Sequence, residues 1–249
     1  TKDVYDFAMK NGADFVATGH YAQVKDGHLI AGVDPEKDQS YFLWMVPQDY
    51  LRKTLFPVGN IYKRDVRTLA EKFELPNASR KDSQGLCFLG DISLDDMLTR
   101  ELAPKPGKVL SVSGAIIGAH TGARFYTLGE RHGFTLFSTT PDMQPHFVVA
   151  KDMEQNTITV SQNRFPQGAE KTEVTLTNTN WIGEFKEGPV EARYRYRQKL
   201  ISAELVEKEG ENIVILAEPH YIPLGQSLVL YQGEQCLGGG IVAKSVPSI

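Results

Sequence analysis

Cysteine is scarce in this chain: two residues, Cys87 and Cys236, among 249. Thiols so far apart in sequence do not form a disulfide framework, so a reducing cytoplasmic setting is the expectation. No apolar run reaches the ~20 residues that a membrane-spanning helix requires. CxxC, HExxH and paired His/Cys spacings are lacking and the six histidines are scattered, so no metal or iron–sulfur site is expected in this chain. GxSxG and Walker-type GxxxxGKS stretches are lacking too. Positive charge is not in excess: the net charge is −4, so any nucleic-acid binding must come from a local basic face. Low-complexity tracts do not occur, and with 41% hydrophobic residues the chain has the means to fold into two or three compact units.

The densest stretch present is Ser83-Gln84-Gly85-Leu86-Cys87-Phe88-Leu89-Gly90, after the charged approach Arg80-Lys81-Asp82. Flanking glycines let backbone approach a ligand closely, and nearby cations favour the reactive thiolate. A buried cysteine packed in a strand is the competing reading. Cys236, in Cys236-Leu237-Gly238-Gly239-Gly240, is read as packing.

Residues 1–11 have helical spacing of Val4, Phe7 and Ala8, and Gly12 stops the helix. Residues 14–21 read as a short buried strand running into the turn Thr18-Gly19-His20, half of a doubly wound α/β unit. No second βα unit of this kind is evident, and the expectation is that these residues are the C-terminal part of a longer protein. In open α/β sheets ligands lie beyond strand carboxyl ends, which makes Thr18, Gly19 and His20 candidates for a nucleotide site; plain turn residues are the alternative. Residues 34–43 read as an exposed polar loop, then the start of a helix that Asp38 or Ser40 caps. Lys37, Asp38 and Gln39 together offer hydrogen-bonding groups for phosphates or base edges. Residues 60–73 and 92–102 read as helices.

After Pro104-Lys105-Pro106-Gly107 the helical pattern gives way to short β-rich runs, with a hairpin turn at Gln155-Asn156. Six strands between 174 and 243 predict a closed antiparallel barrel. In a strand over 190–196, alternation would place Arg193, Arg195 and Arg197 on one face and Tyr194 and Tyr196 on the other. Such a face suits a phosphate backbone or a stacked base; an arginine ladder backed by packed tyrosines is the alternative.

Six motifs occur in order: Ala17-Thr18-Gly19-His20-Tyr21, residues 37–43, Leu55-Phe56-Pro57-Val58-Gly59, residues 81–90, Arg195-Tyr196-Arg197-Gln198 and residues 236–240. Together they resemble the tRNA-specific 2-thiouridylases over nearly the whole chain. The resemblance implies an α/β plus β protein with three parts. Residues 1–102 would be the tail of an adenine nucleotide alpha hydrolase-like (PP-loop) ATP-pyrophosphatase domain, 103–164 a small central domain, and 165–249 a tRNA-binding β-barrel. It implies ATP-dependent 2-thiolation of the wobble uridine of tRNA, ATP being a substrate accompanied by Mg2+. Cys87 would carry sulfur as a persulfide received from a donor protein, and would later form a disulfide with a second cysteine. Gly19 would approach ATP; His20, Lys37, Asp38, Gln39, Arg195, Tyr196 and Gln226 would contact tRNA. No membrane partner is implied. The family's SGGxDS loop and first catalytic cysteine do not occur in these residues, so the chain by itself is expected to be inactive. A nucleic-acid-binding β module without catalysis is the rival function, and an ATP-pyrophosphatase acting on a small metabolite is a third.

Overall fold

The computed structural model describes residues 2–79, 104–138, 140, 142–184 and 186–248. They fall into two compact units, one built from residues 1–80 with 170–249 and the other from 81–169. Cys87 and the helix expected at 92–102 lie outside the described residues.

The chain opens with α1 (Lys2–Lys10). Gly12 ends it at φ +83°, where Ala13 N–H reaches back to Ala8 O at 3.0 Å. β1 (Val16–Ala17) is shorter than expected and not buried, Val16 being half-buried and Ala17 exposed. The hairpin β2 (Ala22–Lys25) and β3 (His28–Ala31) follows. It turns at Asp26 and Gly27, both at positive φ (53° and 78°), the turn that matches strand twist. Next come α2 (Gln48–Leu51), β4 (Thr54–Leu55) and α3 (Lys63–Lys72). β4 runs parallel to β1. This corrects the sequence reading, which found no second βα unit: β4 has only two residues before Phe56-Pro57, too few for periodicity to register.

The middle unit is a five-stranded sheet of β5 (Gly107–Ser111), β6 (Ile116–His120), β7 (Thr135–Leu136), β8 (Phe147–Asp152) and β9 (Thr157–Ser161), in the order β7-β6-β5-β9-β8. Only β5 and β9 pair in parallel. Its core is Val109, Tyr126, Val148, Ile158 and Val160. The turn expected at Gln155-Asn156 joins β8 to β9, with Asn156 at φ 52° and Asp152 Oδ1 accepting from Glu154 and Gln155 N–H at 2.9 Å.

The last strands are β10 (Lys171–Trp181), β11 (Gly188–Arg193), β12 (Ile201–Lys208), β13 (Glu211–Leu216), β14 (Ser227–Gln232) and β15 (Gln235–Ser248). All pair antiparallel in the order β10-β13-β12-β11-β14-β15, and β15 returns to β10, closing the expected six-stranded barrel. Gly238, at φ +112°, lets β15 pass β10: a Cβ there would sit 2.0 Å from Asn180 O.

Strand β14 is buried on both faces. Leu228 and Leu230 point into the barrel with Val174, Leu205, Val214 and Leu216, whereas Val229 and Tyr231 point outward. The outward pair packs with Leu29, Tyr41, Leu43, Trp44, Leu51 and Cys236. The N-terminal segment therefore covers one wall of the barrel, and β3 pairs with β15 to extend its sheet. Each such fully buried side chain contributes about 1.5–3 kcal/mol.

Candidate nucleic-acid interface

The loop between β3 and α2 is organised by two carboxylates. Asp34 Oδ2 accepts Lys63 N–H at 2.9 Å, at the start of α3, and its Oδ1 accepts Glu36 N–H at 3.1 Å. Asp38 Oδ1 accepts Gly32 N–H and Ser40 N–H, both at 3.0 Å, and its Oδ2 accepts the Ser40 hydroxyl at 3.0 Å. Asp34, Asp38 and Ser40 are all buried, which corrects the expected exposed loop. Burial of these carboxylates is tolerable because their lone pairs are engaged. A single 3-10 turn over Ser40–Phe42 follows.

The remaining partner of Asp38 comes from the barrel. Arg193, the last residue of β11, forms a buried ion pair with Asp38 through Nη2. The same Nη2 donates to Ser40 Oγ at 3.1 Å and to the Tyr231 hydroxyl at 2.7 Å, while Nε donates to that hydroxyl at 3.1 Å. Burial works against the charge on Arg193, but Tyr231 and Asp38 more than offset it and its pKa is raised. Burial is also the main cause that raises the Tyr231 hydroxyl. It pushes the neighbouring Cys236 thiol up to about 12.

This placement overturns the expected three-arginine face. β11 stops at Arg193, and the next residues turn rather than extend. Arg197 sits at φ 62°, and the Gln198 side-chain oxygen accepts Tyr194 and Arg195 N–H at 3.0 and 3.1 Å. Arg193 and Tyr194 are therefore buried, whereas Arg195 and Arg197 are exposed. No glycine or proline marks this turn, so the Arg/Tyr alternation mimicked a longer strand.

A second tie runs through Tyr41. Its hydroxyl donates toward Tyr194 O at 2.9 Å and Ser227 O at 3.1 Å, and accepts from Gln226 Nε2 at 3.0 Å. Gln39 in turn accepts Tyr21 N–H through its side chain at 3.0 Å and donates its own N–H to Tyr21 O at 2.8 Å. Phe42 contacts Tyr196, ring centroids 4.9 Å apart. These links join the His20-Tyr21 corner, the 37–39 loop, the Arg195-Tyr196 turn and Gln226. Lys37, Gln39, Tyr196 and Gln226 are half-buried. Asp38 differs: its oxygens are directed into the protein. The sequence reading missed Arg193, Tyr41 and Tyr231 as the fastening residues, because the bonds that tie loop to barrel span more than 150 residues.

At the end of β1, Thr18 Oγ1 lies 2.8 Å from His20 Nδ1. Burial lowers the His20 pKa, which favours a neutral ring. Thr18, His20, Thr54 and Tyr5 bring polar groups to the lining of a mostly apolar pocket of about 220 Å³, walled by Val4, Val16, Leu43 and Phe56. A side chain at Gly19 would meet nothing within 4 Å, so its backbone is open to a ligand. Among the described residues no group of His, Cys, Asp or Glu is arranged to hold a metal ion.

Three family models match the chain in succession. They are the tRNA methyl transferase HUP domain over residues 1–91, the tRNA methyl transferase PRC-barrel domain over 95–162 and the aminomethyltransferase beta-barrel domain over 171–242. The tRNA-specific 2-thiouridylase MnmA of Polaromonas naphthalenivorans (strain CJ2) is 39% identical over 271 aligned residues, spanning 98% of this chain and 69% of that relative. Its namesake from Polaromonas sp. (strain JS666) is 38% identical, with 98% and 68% covered. A third, from Nitrosomonas eutropha, is 38% identical, with 98% and 71% covered.

Proposed function

The chain belongs to the tRNA-specific 2-thiouridylase family, and we propose that it acts in replacing the 2-oxygen of the wobble uridine of tRNA with sulfur, in the cytoplasm. The observation that carries this reading is the convergence of Gln39, Arg195, Tyr196 and Gln226 around the Tyr41 and Arg193 ties. That convergence produces a local basic and aromatic surface on a chain whose net charge is −4. Arg195 meets phosphate, Tyr196 a base or sugar, and Gln39, Lys37, His20 and Gln226 add polar contacts. Asp38 serves by holding Arg193 and the loop.

The chemistry follows from a poor electrophile. A uracil carbonyl resists substitution because oxide is a poor leaving group. The uracil O2 would attack the α-phosphate of ATP, taking the adenylyl group and releasing pyrophosphate; an accompanying Mg2+ would offset phosphate charge. The pocket beside Gly19, apolar and with Thr18 and His20 at its edge, suits a planar base of that nucleotide. The terminal sulfur of a Cys87 persulfide then attacks C2 and AMP departs with the oxygen. A second thiol attacks the Cys87 sulfur, the S–S bond breaks, and 2-thiouridine is released as the new disulfide forms. A dithiol reductant would reopen that disulfide by thiol–disulfide exchange, and a persulfide donor protein would then reload Cys87. The uridine must leave its stack to be reached.

Replacing Cys87 by Ala in the encoding gene is expected to remove 2-thiouridine from digested cellular tRNA, read by mass spectrometry, while tRNA binding by the purified protein stays near normal. Undiminished 2-thiouridine would reduce the chain to an RNA-binding module without catalysis.

A further inference from the structure

Between Ser40 and Trp44 the chain buries every residue but one. Ser40, Tyr41, Leu43 and Trp44 are 0%, 6%, 4% and 3% exposed, whereas Phe42 is 55% exposed. A phenylalanine held out of a core that takes in all its neighbours is not placed there by packing. The 3-10 turn fixes it: Phe42 N–H donates to Gln39 O at 3.0 Å, so the backbone that carries the ring is the 37–39 loop itself.

The ring is also braced. Tyr41 meets it edge-on at 5.4 Å between centroids, and Tyr196 lies 4.9 Å away, tilted by 41°. The Arg197 guanidinium carbon stands 5.2 Å from the Tyr196 centroid, and that of Arg195 stands 5.6 Å from the Tyr194 centroid. An exposed phenylalanine against Tyr196, whose ring carries the exposed Arg197, with the exposed Arg195 in the same turn, has the makeup of a site for single-stranded nucleic acid. Any base has a π-face to stack, and its flanking phosphates meet the cations.

We propose that Phe42, braced by Tyr196, is the stacking platform for one unpaired RNA base, with Arg195 and Arg197 holding the phosphates beside it. This rests on the tRNA reading above and adds to it a base-stacking residue, Phe42, and a phosphate contact, Arg197. With their centroids 4.9 Å apart the two rings already touch and leave no room for a base between them, so the base lies on the outward face of Phe42.

The test uses the whole chain and an unmodified tRNA transcript carrying 2-aminopurine at successive anticodon-loop positions. Phe42→Ala is expected to weaken binding about 5- to 150-fold, the range for losing one stacked base, without changing the salt slope. Phe42→Trp is expected to retain binding, and wild type to quench 2-aminopurine at one position. Thermal melting of Phe42→Ala is expected to match wild type closely, because an exposed ring adds little to the core. Arg197→Ala is expected to weaken binding and lower the salt slope by about 1. Phe42→Ala binding within twofold of wild type, or no quenching at any position, overturns the platform. If Arg195→Ala still weakens binding in that case, the tRNA reading stands without it. Failure of the wild-type chain to bind tRNA overturns both.

Discussion

Arg193, at the end of a barrel strand, and Asp38, in a loop 155 residues earlier, form an ion pair from which water is almost wholly excluded. The pair fastens the 37–39 loop to the Arg195-Tyr196 turn, so groups far apart in sequence share one surface. Removing one partner strands a buried charge, which typically costs 3–5 kcal/mol. Asp38→Asn and Arg193→Met are each expected to lose about that much stability in urea denaturation. The pair Asp38→Asn with Arg193→Met is expected to lose less than the two single losses combined, because no charge is left unpaired. A loss below about 1 kcal/mol in both single variants contradicts the fastening role.

His20 gives the fold a pH dependence of known sign. Burial lowers its pKa from the ordinary 6.5, so the unfolded chain binds the proton first. Stability is therefore complete above pH 6.5 and declines as pH falls below it, until the folded state also protonates. His120, in the middle unit, is lowered for the same first reason, burial, and declines in the same direction. Thermal melts between pH 8 and pH 5 are expected to fall on the acid side, and His20→Gln is expected to remove part of that fall. Superimposable profiles for the variant and wild type contradict the assignment.

What could be read from the sequence follows the range of the interactions. The barrel strands declare themselves by alternation and turn residues, which are local. The β2–β3 hairpin carried an equally local signal in Asp26-Gly27, and its docking on β15 through Ile30 and Leu29 did not, being a contact across some 200 residues. Burial of Asp38 was illegible for the same reason. Nothing in Lys37-Asp38-Gln39 announces an arginine from β11. Arg193-Tyr194-Arg195-Tyr196-Arg197 misled in the other direction: its period of two is a strand signal, yet hydrogen bonds from Tyr194 and Arg195 N–H to the Gln198 side chain bend it into a turn. Phe42 stood within a recognised motif, but its exposure depends on how the neighbours pack.

Cys236 supplies a prediction that bears on the chemistry. The proposed persulfide cycle would need a second thiol to free the thiolated base, and this chain contains two cysteines. Cys236 is fully buried among Leu29, Tyr231 and Val229, with burial pushing its pKa up to about 12. Burial thus keeps the thiol protonated near neutral pH, and the thiolate is the reactive form. Within the proposed cycle, Cys236 is therefore expected not to be the thiol that frees the base from Cys87. In a Cys87→Ser background the native protein is expected to release no thionitrobenzoate from Ellman's reagent at pH 8, and one equivalent per chain after denaturation. Cys236→Ala in the otherwise unaltered protein is expected to leave cellular 2-thiouridine intact while lowering stability through the small void it leaves. Rapid labelling of Cys236 in the native state, or loss of 2-thiouridine in a Cys236→Ala protein that melts like wild type, would return this thiol to the catalytic cycle.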